Sequence, residues 1–226
     1  VRTSGQLAKK IGNQLMIDSA EVAIRLNDST FCSKLGFKKE TIVCIIIPNT
    51  YELYWNISTA DLFKRMKKEY NLFWTSDRLA KAKSIGYTPA EVTTIASIVE
   101  EETNNNEEKP MVAGLYINRL HKGMKLQADP TVKFAVQDFT IKRVTGTHLR
   151  SNSPYNTYKF EGLPPGPIRI PSIKGIDAVL NYTRHNFVYM CAKEDFSGTH
   201  NFAATWEEHQ ANAKKYQQEL NKRKIF

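Results

Sequence analysis

The chain has 226 residues, 41% of them hydrophobic and 24% charged. That is enough for one large domain or two small ones with a real core, and it excludes a wholly disordered chain. A formal net charge of +9 favours anionic partners such as nucleic acid, acidic polymers or a headgroup surface. The densest basic runs, FKRMKKEY (63–70) and ELNKRKIF (219–226), fall on expected helices and read as charged faces in water rather than as a polyanion groove. The longest apolar run, IVCIII (42–47), is too short to span a membrane, and no signal peptide is visible. The three cysteines, Cys32, Cys44 and Cys191, lack C-x-x-C spacing and make neither a disulfide framework nor a zinc site.

In chain order, DSAE at 18–21 caps a short helix over 19–27, and NDSTFCSKLG predicts another that ends at Gly36. Residues 41–47, rich in Ile and Val and stopped by Pro48, read as a buried strand with Cys44 in the core. STAD at 58–61 starts a helix carrying Leu62, Phe63, Met66, Tyr70 and Phe73, and a further helix runs from Ser76 to Gly86. Thr88-Pro89-Ala90-Glu91 combines an N-cap, a proline at the first helical position and a capping box. Pro110 opens the next helix, with Ala113, Tyr116, Ile117 and Leu120 on its apolar face and Gly123 at its end. From 123 to 171 proline and glycine cluster, and GLPPGPIRIP (162–171) fits neither helix nor strand but a rigid loop wall. A helix over 172–181, a strand over 186–194 and a last helix capped by TWEE (205–208) follow.

The helix TPAEVTTIASIVEEET (88–103) ends in three consecutive acids. On a wheel of about 100° steps from Val92, the apolar stripe centres near about 330°. Glu101 falls at about 180° and is expected to face solvent; Glu102, at about 280°, overlaps one side of the stripe, and Glu100, at about 80°, borders the other. A carboxyl at the edge of a buried face can hold its proton and serve as a general acid, and the wheel slightly favours Glu102 over Glu100. Capping, pairing with Lys or Arg, and fraying into water are the competing uses of such acids. The five histidines show no metal-ligand spacing, and there is no P-loop, no G-x-S-x-G and no G-x-G-x-x-G. In SPYNTYKF (153–160) two tyrosines flank an asparagine, a set that suits sugar recognition and an ordinary ordered loop about equally.

IASIVEEET (95–103), VAGLYINRLHKGMKLQADPTV (112–132), YNTY (155–158) and GLPPGPI (162–168) occur in this order. Together they closely resemble the YceG-like family, the endolytic murein transglycosylases called MltG. SGTHNFAATWEEH (197–209) is similar to a further family segment, and IPNTYELYW (47–55) to another, with Asn49 where the family has aspartate. The likeness covers about residues 45–210.

It implies an α+β fold, helix-rich with small β-sheets, in which the long Pro/Gly-rich loop region forms a cleft with the acid-ended helix. It further implies an N-terminal subdomain over 1–48, the remnant of or linker from a LysM-like region, and a catalytic domain over 49–226. The implied reaction cuts the MurNAc-β-1,4-GlcNAc bond of peptidoglycan and leaves 1,6-anhydro ends, with one glutamate acting first as acid and then as base. Carried over by motif, that glutamate is Glu100, against the wheel's slight preference, and Glu102 supports it. Gln127, Asp129, Tyr155 and Asn156 are the other candidates for substrate binding.

No cofactor and no metal are expected. The implied partners are glycan strands, cell-wall synthesis proteins and the inner membrane. A single N-terminal helix, absent from this sequence, would anchor the chain there with its catalytic part in the periplasm. The chain begins in mid-pattern without methionine and is expected to be the soluble part of something longer. A non-catalytic glycan-binding module and a basic nucleic-acid-binding protein are the rival readings; the second has no motif beyond charge.

Overall fold

Small polar side chains decide where most of the helices begin. In the computed structural model, which describes residues 1–223, the first-turn N–H groups of eight helices bond to the side chain of the residue just ahead. These are α1 (Ser4–Gly12), α2 (Ser19–Asn27), α3 (Ser29–Lys34), α4 (Thr59–Phe73), α5 (Ser76–Ser84), α6 (Pro89–Glu102), α10 (Ile173–Leu180) and the last helix of the described chain. Pro110 and Pro130 sit in the first turns of α7 (Lys109–His121) and α8 (Asp129–Ala135), where a missing N–H costs nothing. The four-residue α9 (Gly146–Leu149) follows α8. β1 (Tyr189–Ala192) pairs antiparallel with β2 (His200–Ala203), Tyr189 opposite Ala203, and α11 (Trp206–Lys222) closes the described chain behind a Thr205–Glu208 capping box. The basic run at 219–226 lies outside the described residues beyond position 223.

The fold is α+β in the helix-rich sense expected, with a single two-stranded sheet among the described residues. The strand expected over 41–47 is instead a turn of 3-10 helix, Ile42–Ile45. Cys44 N–H bonds back to Thr41 O at 2.9 Å and Ile46 N–H to Val43 O at 3.2 Å, so this backbone needs no sheet partner. Ile42, Cys44 and Ile45 are all buried; a short apolar run reports burial and not period. α1, α8 and α9 are helices that the sequence reading did not predict, and all three are short.

Apolar residues gather in two clusters. The first joins Leu7, Val22, Leu26, Ile42 and Ile45 to Leu62, Phe63 and Met66 of α4. It therefore runs past position 48, where the sequence places a boundary. The second surrounds α6, with Val112, Leu115 and Ile117 of α7 and Ile176 and Val179 of α10. Each fully buried side chain of this size contributes about 1.5–3 kcal/mol.

The proline-rich loop ties the two clusters together. Ile168 N–H donates to the buried Ser97 hydroxyl of α6 at 3.0 Å, and Ile170 N–H donates to Val1 O at 3.0 Å. Gly166 passes so close to residue 40 that an added Cβ would lie 2.0 Å from Glu40 O. Gly166→Ala is expected to cost about 1–3 kcal/mol through this backbone clash. A urea midpoint equal to wild type would mean that the loop can retreat without loss.

Candidate active site

α6 is buried on every side: all eight residues from 92 to 99 are inaccessible. Its polar residues survive there by bonding to their own helix. Thr93 and Thr94 donate to Pro89 O and Ala90 O at 2.8 Å, and Ser97 donates to Thr94 O at 2.7 Å. The face that a wheel assigns to water is therefore packed against the 168–170 loop. Glu101, expected in solvent, lies on that face with its side chain only 16% exposed. It accepts a two-pronged bond from Arg2, 3.1 Å from Nε and 3.0 Å from Nη2, and a third from Arg169 Nη1 at 2.9 Å.

Glu100 points the other way, toward α7 and α10. Its Oε2 accepts from Lys109 Nζ and from Ser172 Oγ, both at 2.9 Å. Lys109 in turn donates to Asn106 Oδ1 at 2.9 Å, and its side chain is 5% exposed. Gly175 leaves room for this pair, since a Cβ there would come within 2.6 Å of Glu100 Oε2. Glu100 is thus an acid held in an ion pair at a helix junction.

Glu102 is the acid without a cation bonded to it among the described residues. Its Oε1 accepts from the Tyr116 hydroxyl of α7 at 2.7 Å, and no described residue bonds Oε2. Burial pushes its carboxyl above the ordinary 4.5, and the charge of nearby Asp129 adds to that, while the Tyr116 bond, His200 and Lys133 oppose it. Burial also drives the Tyr116 phenol far up, so it remains a donor throughout the ordinary pH range. One turn beyond Tyr116, Arg119 donates from Nη2 to Gln127 Oε1 at 2.7 Å. Asp129 Oδ1 accepts from the Tyr158 hydroxyl at 2.6 Å. Both Gln127 and Asp129 are exposed, and Gln127 has a φ of 50°, a left-handed backbone rare outside glycine.

The YNTY segment is mostly a clamp that holds this edge in place. Asn156 is wholly buried; its Nδ2 donates to Leu149 O and Ser151 O, both at 2.9 Å, and its Oδ1 accepts from Tyr158 N–H at 3.1 Å. Its amide has no group left for a sugar, contrary to the expectation that it meets substrate. Thr157 Oγ1 receives Ala128 N–H at 3.1 Å and lies 2.7 Å from Thr131 Oγ1. Tyr155 packs on Phe134 with ring centroids 4.6 Å apart, and burial pushes its phenol up to about 12. Of the residues named from sequence, Glu102, Gln127 and Asp129 converge, while Glu100, Tyr155 and Asn156 are engaged elsewhere. Sequence reading missed Tyr116 and Arg119, and had Tyr158 only as one of the two tyrosines flanking Asn156. Tyr116 had been counted as core, and the three-residue spacing to Arg119 was the available signal.

The model of the YceG-like family matches residues 1–215. The chain belongs to the YceG-like family. It is 30% identical to the endolytic murein transglycosylase of Bacillus subtilis over 226 residues, which is 93% of this chain and 62% of that protein. The enzyme of the same name from Streptococcus pneumoniae R6 is 28% identical over 239 residues, 93% of this chain and 42% of that one. The chain therefore spans less than two thirds of the length of these curated relatives. A 2.6 Å crystal structure of a YceG-like protein from Listeria monocytogenes superposes with a TM-score of 0.77 at 27% identity, covering 92% of this chain and 72% of that one. The family match begins at residue 1, so the α1–α3 region belongs to the family fold as much as the acid-bearing helix does.

The raised carboxyl carries a sign. The folded protein holds a proton that the unfolded chain releases near pH 4.5, so this contribution to stability is full below that pH. It fades as pH rises through the higher folded value. Glu102→Gln lacks the titration, so it is expected to gain stability relative to wild type as pH rises above about 4.5. Denaturant midpoints for the two proteins that stay parallel across that range would contradict the burial of this acid.

Proposed function

We propose that this chain is the catalytic part of an endolytic peptidoglycan lytic transglycosylase that uses Glu102 as its acid. The reaction is cleavage of the MurNAc-β-1,4-GlcNAc bond inside glycan strands, with 1,6-anhydro-MurNAc left at the new end. One observation carries the choice of residue: Glu102 is the acid in the EEE run with no cation bonded to it among the described residues, and burial raises its carboxyl above the ordinary range. The motif likeness favours Glu100 as the alternative, but there the only bonded oxygen already serves a lysine and a serine.

In the proposed reaction Tyr116 holds Oε1 and fixes the carboxyl plane, which leaves the proton on Oε2 for the glycosidic oxygen. As the C1–O4 bond breaks, that proton passes to the leaving sugar. The C6 hydroxyl of the muramic residue then attacks C1, and the Glu102 carboxylate takes the hydroxyl proton. No water is consumed, and the acid ends as it began. Intramolecular attack removes the need for a second carboxyl to activate water, and proximity in a well-aligned geometry can supply about 7–11 kcal/mol of the barrier. Asp129 supplies a standing negative charge for the oxocarbenium-like transition state, and Gln127 supplies an exposed amide.

Action on murein places this chain outside the cytoplasm. No helix among the described residues is long and apolar enough to cross a membrane. Attachment to the inner membrane in this reading uses a segment outside the present sequence, and proteins of wall synthesis are the partners to seek. Residues 1–48 would act as an N-terminal subdomain supporting the catalytic part.

Digestion of purified sacculi followed by mass spectrometry tests the reaction, because anhydro and reducing ends differ by one water. Glu102→Gln is expected to lose about 10²–10⁴ in turnover, and Glu100→Gln to keep more activity while losing stability. The reverse ranking at equal folding would return the role to Glu100. Reducing ends in place of anhydro ends would make the enzyme a hydrolase.

The Tyr116 bond pulls the Glu102 carboxyl down, so Tyr116→Phe lets it rise. Activity needs the protonated acid and therefore falls as pH rises past that value. The basic limb of the kcat/KM profile is expected to move to higher pH in Tyr116→Phe, and a limb that stays or moves lower would separate Tyr116 from the acid.

A further inference from the structure

Arg119 is 9% exposed and makes one hydrogen bond to the described protein, Nη2 to Gln127 Oε1 at 2.7 Å. Its Nε–H is buried without any partner. Three other partly buried cations are paired with carboxylates: Lys109 with Glu100, Arg169 with Glu101, and Arg78 with Asp177. No carboxylate of the described residues bonds Arg119, and the acidic groups close enough to act on its charge are the phenols of Tyr116, Tyr189 and Tyr158. Its guanidinium lies 5.7 Å from the centre of the Tyr189 ring. A desolvated cation with no counter-charge is costly, and a guanidinium fork fits a carboxylate with two parallel bonds.

The position is set by chemistry already described. Tyr116, which bonds Glu102, is also acted on by the Arg119 charge, so acid, phenol and cation form one local group. Gln127, which receives the single Arg119 bond, is held in a left-handed backbone at the exposed edge of the same site. We infer that Arg119 is a substrate-binding residue, the anion subsite beside Glu102 that binds a carboxylate carried by the glycan strand. This rests on the glycan reading above. On such a strand the carboxylate comes from the attached peptide or, where no peptide is attached, from the lactyl group of the muramic sugar, and both present the same planar anion.

Three strand preparations distinguish the sources: native peptidoglycan strands, strands stripped of peptide by an amidase so that lactyl carboxylates are free, and strands whose carboxylates are converted to amides with carbodiimide and ammonia. Amidation is expected to raise the wild-type KM about tenfold or more, the worth of one charge-assisted contact, with a smaller change in kcat. Arg119→Gln is expected to show that loss on native strands and to equal wild type on amidated ones, with Arg119→Lys between them. An Arg119 effect present on native strands and lost on stripped ones assigns the peptide carboxylates, and one that is larger on stripped strands assigns the freed lactyl group.

An unchanged wild-type KM on amidated strands would overturn the subsite. So would an Arg119→Gln defect of the same size on native and amidated strands. Should Arg119→Gln fail to fold, the wild-type comparison decides alone. Should wild type cleave nothing, the transglycosylase reading falls, and co-sedimentation of wild type with native against amidated sacculi still decides whether carboxylates are bound.

Discussion

Helix α6 has no free face, and most of the site follows from that constraint. With residues 92–99 all enclosed, the chain leaves the helix through three glutamates that each emerge into protein. A surface helix would give at least one of them to water. Here the three directions of a helical turn become three different environments: an arginine pair, a lysine–serine pocket and a tyrosine. The same residue type three times in a row acquires three roles because the helix around it is buried.

These environments differ in what they cost. Glu100 and Lys109 are both close to fully desolvated, at 14% and 5% side-chain exposure, and such a pair offers little net stability against a hydrophobic substitute. It does penalise the loss of either partner, because the other charge is left behind. Glu101 joins the first residues of the chain and the 168–170 loop to α6 through two arginines, so it works as a structural tie between the two clusters. Glu102 alone has a neutral partner, and neutral surroundings favour the neutral form of an acid. The same rule makes Arg119 anomalous in the opposite sense: it is a charge that the fold keeps dry and leaves without a counter-charge.

The helices were legible because their caps are local. Thr88 with Glu91 and Thr205 with Glu208 form the boxes that their sequences announce, and α2 runs over the expected 19–27. The 41–47 run was misread because apolar residues record enclosure without recording period, and a single 3-10 turn is too short to display one. Glu101 was misread for a subtler reason. Thr93, Thr94 and Ser97 look like a solvent face, but each hydroxyl satisfies itself on the carbonyls of its own helix and can be buried at little cost. The wheel set Glu102 over one side of the apolar stripe, and there it meets the Tyr116 hydroxyl of α7. Asn156 and Tyr155 were drawn into the candidate site by residue type, whereas their bonds are directed into the loop. Arg119 was invisible in sequence because nothing in a local pattern reveals the absence of a distant partner.

A one-acid mechanism asks more of its surroundings than a two-acid one, since a single carboxyl must be neutral first and charged later. Asp129 and Lys133 bear on this with opposite signs. The charge of Asp129 favours the proton on Glu102, and that of Lys133 favours its departure. Asp129 is itself fixed by the Tyr158 hydroxyl at 2.6 Å, and Tyr158 is placed by the buried Asn156. The clamp formed by the YNTY segment therefore acts on the acid at a distance: it holds one negative charge at a set place beside a carboxyl that must keep its proton. In the proposed reaction, once that proton has gone to the leaving oxygen, the same Asp129 charge would lie beside the cationic sugar. In that proposal the electrostatic arrangement that delays ionisation of the acid is also the one that would stabilise its product.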